Sequence, residues 1–269
     1  MTPLDRRSRF FRLHARAAVF VMPNPWDVGS AKLLAGAGFE ALATTSAGLA
    51  WSLGRDDYGV TLDELVTHVA AIAPAVDLPL NVDSERCFAG DGDLGAVSET
   101  VRRLHDAGAA GCSIEDWNGD ADRIDPIDVA AERVAAAAEA AHVAGDPLVL
   151  TARAENHLHG VDDLDDTIER LRAYAEAGAD VLYAPGLSTT EQIRTVAEAV
   201  DKPINVLALP GGPTVAEIGA AGARRVSIGG TLASHAYAAM LQGAAELLDT
   251  GTSGYAATRL TSEHRSRLT

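Results

Sequence analysis

Eight short apolar runs recur along this chain of 269 residues, each entered from a Gly, Asp or Pro turn and most released onto a polar or charged residue. They span 18–22, 40–45, 78–82, 111–114, 147–152, 180–184, 203–207 and 225–228; the residues that follow are Asn24, Ser46, Asp83, Glu115, Arg153, Pro185, Ala208 and Gly229. Between them lie stretches with apolar residues at the three-to-four spacing of an amphipathic helix: 28–37, 62–75, 94–107, 126–144, 164–177, 190–199, 214–221 and 231–248. Strand and helix alternate eight times, which predicts an α/β chain closed as a TIM (β/α)8 barrel. Such a barrel opens all its strand C-termini onto one face, so residues far apart in sequence converge there. Ala-Gly-Ala endings at 107–109, 177–179 and 221–223 place Gly where helices stop and turn into strands. Residues 4–15 read as an extra helix ahead of the barrel, and 251–269 as a polar, loosely ordered tail.

One barrel of about 250 residues uses nearly the whole chain, so 1–269 reads as a single domain. A formal net charge of -16 disfavours nucleic acid and anionic membrane surfaces, both of which select clustered Lys and Arg. No stretch approaches the roughly 20 apolar residues of a spanning helix, and the first residues, rich in arginine up to Arg16, lack a signal-peptide apolar core. A cytoplasmic protein is the expectation. Cys87 and Cys112 make one pair at most, and with Cys112 inside an apolar run, free thiols are expected rather than a disulfide scaffold.

Asp83 and Glu85 stand two apart at the end of the third run, so an extended backbone points both the same way, and Glu115 ends the neighbouring fourth run. Hard carboxylate oxygens grouped this way suit Mg2+, which keeps several waters and takes few protein ligands, with Mn2+ also in contention. The plainer alternative is that these acids cap helices or pair with arginines. Asp116, facing the other way, is assigned to a salt bridge rather than a metal. Arg153 ends the fifth run and offers a planar fork for a substrate carboxylate, or charge balance for Glu115 or Glu155. Ser46, Ala47 and Gly48 are small enough to let backbone N–H groups approach an oxyanion, and Asn205 is either a further donor or a satisfied core amide. Trp26, Trp51 and Tyr183 are expected to wall the pocket or the core. His157 and His159 read as exposed loop histidines. The two lysines, Lys32 and Lys202, lie at no strand C-terminus, which disfavours Schiff-base chemistry, and no nucleotide-binding glycine motif is present.

Taken in order, Asn24-Pro25-Trp26-Asp27, Thr44 through Gly48, Asp83-Ser84-Glu85, Ile114-Glu115-Asp116, Ala152-Arg153 and Asn205-Val206-Leu207 resemble the isocitrate lyase and phosphoenolpyruvate mutase superfamily. The resemblance covers about 18–240 and is closest to the branch whose third strand ends in DxExGYG, here Asp83 through Ala89. It implies that Asp83, Glu85 and Glu115 hold Mg2+ directly or through water, with Asp57 on a gating loop adding an outer contact. It further implies that Ser46, Ala47 and Gly48 cradle a carboxylate or enolate oxygen that Arg153 clamps. Members exchange the last helix between subunits, so a homodimer or homotetramer is expected. Where the lyase branches carry a lysine- and cysteine-bearing loop after strand four, this chain runs Asp116-Trp117-Asn118-Gly119-Asp120, leaving Asn118 as a partial stand-in for a catalytic side chain. The implied function is a Mg2+-dependent lyase or mutase, making or breaking a C–C or C–P bond beside a 2-oxo or 2-hydroxy carboxylate through an enolpyruvate-like intermediate. The substrate is a small carboxylate or phosphonate. Decarboxylation of an oxaloacetate-like acid, and a non-catalytic oxo-acid-binding barrel, are the alternatives.

Overall fold

In the computed structural model, which describes residues 1–268, eight parallel strands stand in the order β1-β8-β7-β6-β5-β4-β3-β2. They are β1 (Phe20–Met22), β2 (Leu42–Ala43), β3 (Leu80–Asp83), β4 (Gly111–Glu115), β5 (Val149–Arg153), β6 (Val181–Tyr183), β7 (Ile204–Leu207) and β8 (Arg225–Ser227). No ladder joins β1 to β2; the backbone N–H of Ala43 instead donates to Pro23 O at 3.0 Å. Asn24 spans the same seam. Its Nδ2 donates to Thr44 O at 2.8 Å and its Oδ1 accepts from the Ile228 N–H at 3.1 Å, tying the ends of β1, β2 and β8 together. The expected barrel is present, with every apolar run supplying its strand.

The outer helices are α2 (Val28–Gly36), α4 (Leu62–Ile72), α5 (Leu94–Asp106), α6 (Ile127–Ala141), α7 (Leu164–Glu176), α8 (Thr190–Ala199), α9 (Val215–Ala220) and α10 (Thr231–Asp249). Their buried residues recur three and four apart: Leu65, Val69 and Ile72 on α4, and Val97, Val101 and Leu104 on α5. Each such side chain contributes about 1.5–3 kcal/mol by leaving water. Gly178 and Gly222, at φ 109° and 112°, make the left-handed turns after α7 and α9. A short helix after the second strand was not legible. Thr45 caps a short helix α3 (Ser46–Ser52), its Oγ1 accepting from the Gly48 N–H at 3.2 Å, so the expected second strand is cut to two residues.

The N-terminal helix α1 (Pro3–Ala15) starts in a capping box between Thr2 and Asp5 and seals the bottom of the barrel. Its Phe10 and Leu13 pack with Phe20, Met22, Ala41, Ala43, Ala110, Val149 and Val181 into an apolar plug. Beyond Gly251, in place of a loosely ordered tail, the chain forms a 3-10 turn (Gly254–Thr258) and a helix α11 (Ser262–Ser266), and returns to α2 through Lys32 Nζ, which donates to Leu268 O at 2.7 Å. Both cysteines are buried and free.

His14 links the plug to the barrel interior. Its Nδ1 lies 2.9 Å from Phe10 O, which can only accept, so Nδ1 carries the hydrogen and Nε2 accepts from Arg225 Nη1 at 3.2 Å. Burial and then the Arg225 charge push its pKa down from 6.5 to about 3. A histidine neutral when folded but protonated below pH 6.5 when unfolded withdraws ~1.4 kcal/mol of stability per pH unit as pH falls through that window. Denaturant unfolding of His14→Gln should show a flatter stability profile between pH 6.5 and about 5; a slope equal to the parent's would acquit His14.

Candidate active site

A cavity of about 200 Å3 opens among the C-terminal strand ends, walled at its mouth by Ser46, Ala47, Asp57, Asp83, Arg153 and Tyr183. It continues down the barrel axis to Asn81, Ser113, Asn205 and Arg225. The mouth is organised by Arg153. Its Nη1 lies 2.9 Å from Asp83 Oδ1 and 3.1 Å from Glu115 Oε2, its Nε donates to Glu155 Oε1 at 2.7 Å, and its guanidinium stands 5.2 Å from the centre of the Tyr183 ring. Burial works against the Arg153 charge, but Glu155, Glu115 and Asp83 outweigh it and hold the proton more tightly than usual. Charge balance and a substrate fork are thus both available to one side chain.

The acids around it outnumber their counter-charges. Burial raises Glu115 well above the carboxylate range against the pull of Arg153, and raises Glu155 to about 7. Glu85 rises to about 8, by burial and then by the charges of Asp83 and Asp57, and Asp57 rises chiefly through loss of water around its carboxyl. Glu85 Oε1 and Glu155 Oε2 are buried without hydrogen-bond partners. Buried carboxyl oxygens without a donor, beside other carboxyls, can be satisfied by a proton or by a cation.

The extended backbone expected through Glu85 is corrected: β3 ends at Asp83, and Glu85 takes a left-handed φ of 49°. Among the described residues no three Asp, Glu, His or Cys side chains stand together as a ready ion cage. Asp83 is engaged by Arg153 and accepts from the Ser46 N–H at 3.2 Å; Glu115 Oε1 accepts from the Tyr58 hydroxyl at 2.8 Å. A donor set of this kind fits a hard divalent cation that keeps most of its water and takes few direct protein ligands.

Other expected residues are distributed unevenly. Ser46 and Ala47 line the mouth in the first turn of α3, where backbone N–H groups have no partner inside the helix. Gly48 does not line it: its N–H is taken by Thr45, and a Cβ there would stand 2.9 Å from Trp26 Cβ, so Trp26 packs behind α3 instead of walling the cavity. Asn118 is also corrected. It sits in a small hairpin (Trp117–Asn118 with Arg123–Ile124), its Nδ2 donating to Asp91 at 2.9 Å and its Oδ1 accepting from the Ala121 N–H, a structural duty outside the cavity. Asn205 lines the cavity while bridging Ser227 Oγ and Arg225 Nε at 2.9 Å each. The histidines are not exposed: the His157 side chain is buried, and His159 stacks on Trp117 with ring centres 3.5 Å apart. Sequence reasoning missed Tyr58, Asn81, Ser113, Arg225 and Ser227. A parity signal existed for four of them, since each stands two residues from another inward-facing strand position, whereas Tyr58 reaches in from a loop that carries no pattern.

An acid-rich mouth gathered around one arginine stands at the C-terminal face of a (β/α)8 barrel, where enzymes of this fold carry their active sites. The chain belongs to the phosphoenolpyruvate phosphomutase family, which its residues 10–248 match. Among solved structures it is similar to a Burkholderia cenocepacia J2315 protein provisionally assigned as a lyase/mutase, at 47% identity and a TM-score of 0.93 over 98% of this chain and 95% of that one. A probable 2-methylisocitrate lyase of Corynebacterium glutamicum is 31% identical over 212 residues, 76% of this chain and 67% of that protein. The oxaloacetate decarboxylase of Paraburkholderia xenovorans is 32% identical over 217 residues, 77% of this chain and 70% of that one.

Asp116 supports this site from behind, as its salt-bridge assignment required. Its Oδ1 accepts from the Glu155 N–H at 2.9 Å, and its Oδ2 accepts from Tyr174 Oη at 2.6 Å and Arg170 Nη1 at 3.2 Å. Asp116→Ala would leave a buried phenol and an amide without their acceptor, while Arg170 keeps Asp166 and Asp125 O, a loss of ~2–4 kcal/mol. Urea unfolding should read that loss, and a cost below about 1 kcal/mol, the level of an exposed pair, would refute the supporting role.

Proposed function

We propose that this protein is a Mg2+-dependent carbon–carbon lyase acting on a small 2-oxo or 2-hydroxy carboxylate, or the phosphonate-handling mutase of the same kind, through an enolate. One observation carries the reading: surplus carboxyls, two of them with bare buried oxygens, gather behind Asp57, Asp83 and Arg153, which with the first turn of α3 line a cavity of about 200 Å3. The volume admits only a small acid. Asp83, Glu85 and Glu115, with Asp57 beyond them, would hold the cation, which when bound supplies a positive charge beside the oxygen that becomes anionic.

The chain's own groups then divide the work. Arg153 lets go of one carboxylate and turns its planar fork to the substrate's. The Ala47 N–H, fixed beforehand in the first turn of α3, meets the second oxygen, joined by Ser46 once its N–H turns from Asp83. Tyr58, bonded to Glu115, holds the loop after α3 over the mouth and keeps bulk water from the enolate.

Decarboxylation is the second reading, and the placement of Asn118 favours it. With Asn118 engaged in the hairpin and the loop after β4 carrying no cysteine, that loop offers no acid to protonate a carbanion; decarboxylation releases CO2 and leaves an enolate that the cation can stabilise until water supplies its proton. The likeness to an oxaloacetate decarboxylase supports the same option. Product analysis on a panel of oxo and hydroxy diacids separates the two: an aldehyde or second oxo acid indicates lyase cleavage, CO2 alone indicates decarboxylation, and tight binding without turnover indicates a binder.

The exposed apolar side of α10 is assigned to a second copy of the chain. Met240 and Leu248 are 60% and 87% exposed, and Trp51, Tyr237 and Leu241 line a shallow surface recess beside them. Sedimentation should give a dimer or tetramer; a species of 28.0 kDa alone would refute that assignment. In calorimetry Asp83→Ala should lose Mg2+ binding, and undiminished affinity would end the metal assignment. Arg153→Lys, which keeps charge but loses the fork, should lower kcat/KM by about 100-fold or more.

A further inference from the structure

Below Asp83 and Arg153, where barrels of this kind are usually filled by bulky branched side chains, the interior holds Asn81, Ser113, Thr151, Asn205 and Arg225. Arg225 is 1% exposed, and its partners are neutral: Nε donates to Asn205 Oδ1 at 2.9 Å, Nη1 to His14 Nε2 at 3.2 Å, and Nη2 to Thr151 Oγ1 at 3.0 Å. Three of its five N–H groups are thereby used and two remain. Burial pushes its pKa down to about 9, with no carboxylate near enough to offset the loss. Folds seldom keep a buried charge without its opposite.

A second polar group in the same space is also unanswered. Asn81 is 4% exposed and lines the cavity, yet its side-chain amide makes no hydrogen bond; its Oδ1 is sealed from water, which leaves Nδ2 as the donor an anion can meet. Scale then matters. Arg225 reaches β5 at Thr151, two residues before Arg153, an offset of about 7 Å along the strand. Both arginines line one cavity, Arg153 at its mouth and Arg225 about two strand residues deeper.

We propose that the lower half of the cavity is a second anion subsite, in which Arg225 and Asn81 receive the far carboxylate of a dicarboxylic substrate whose near carboxylate is held by Arg153. The proposal rests on the enolate-forming reading of the mouth and narrows it: a monoacid leaves Arg225 unpaired, whereas a diacid neutralises it. The subsite selects for substrate and performs no chemistry.

Lactate and malate, 2-hydroxy acids that differ by the far carboxylate, provide the test. Calorimetry with Mg2+ present should show one enantiomer of malate binding at least about tenfold tighter than lactate. Asn81→Asp, equal in size but anionic, should erase that preference and leave lactate affinity within about twofold of the parent. Arg225→Met should do the same, with thermal unfolding confirming that it folds; should it not fold, Asn81→Asp alone decides. A malate preference that survives in Asn81→Asp, or malate no tighter than lactate in the parent, overturns the subsite alone. Binding of neither acid overturns the subsite together with the reading of the mouth.

Discussion

Arg153 and the carboxylates that share it set the terms for everything else at the mouth. One guanidinium contacts Asp83 from β3, Glu115 from β4 and Glu155 just past its own strand, so three separate stretches of chain are fixed relative to each other by a single planar group. Because the acids exceed the cation that holds them, the arrangement is electrostatically incomplete, and burial turns this shortfall into raised carboxyl pKa values rather than scattered side chains. Asp116, Tyr174 and Arg170 keep it from relaxing by bracing the backbone at Glu155.

Much of the fold was legible because a parallel barrel writes itself locally. Each strand needs only a short apolar run and each helix an apolar stripe, with glycine marking the return, and Leu80–Asp83, α5 and Gly178 follow those rules. The site was legible where a residue ends a strand, as Asp83, Glu115 and Arg153 do. Reading failed where backbone conformation departs from the strand. Glu85 is turned by a left-handed residue, Thr45 begins a helix, and Asn118 enters a hairpin whose antiparallel pairing depends on partners outside its own segment. Tyr58 is the extreme case, joined to Glu115 across 57 positions by loop geometry alone.

The barrel interior changes character with depth. At the bottom Phe10, Leu13 and Phe20 form an apolar plug; above it Asn81, Thr151 and Arg225 are polar but buried; at the top Asp57 and Asp83 meet solvent in front of the buried Glu115 and Glu155. Amino-acid type alone does not reveal this gradient, because it arises from which strand residues face inward and how far along each strand they sit. His14 lies at the boundary, its ring edge against Phe10 and Phe20 and its nitrogen against Arg225.

The plug made by α1 has a kinetic corollary. A vessel stoppered at one end has a single doorway, so whatever lodges deepest enters first and departs last. If a bond is cut between the upper and lower portions of a molecule held there, the fragment nearer the doorway must vacate before its sibling can follow, and the order of exit is written into the architecture.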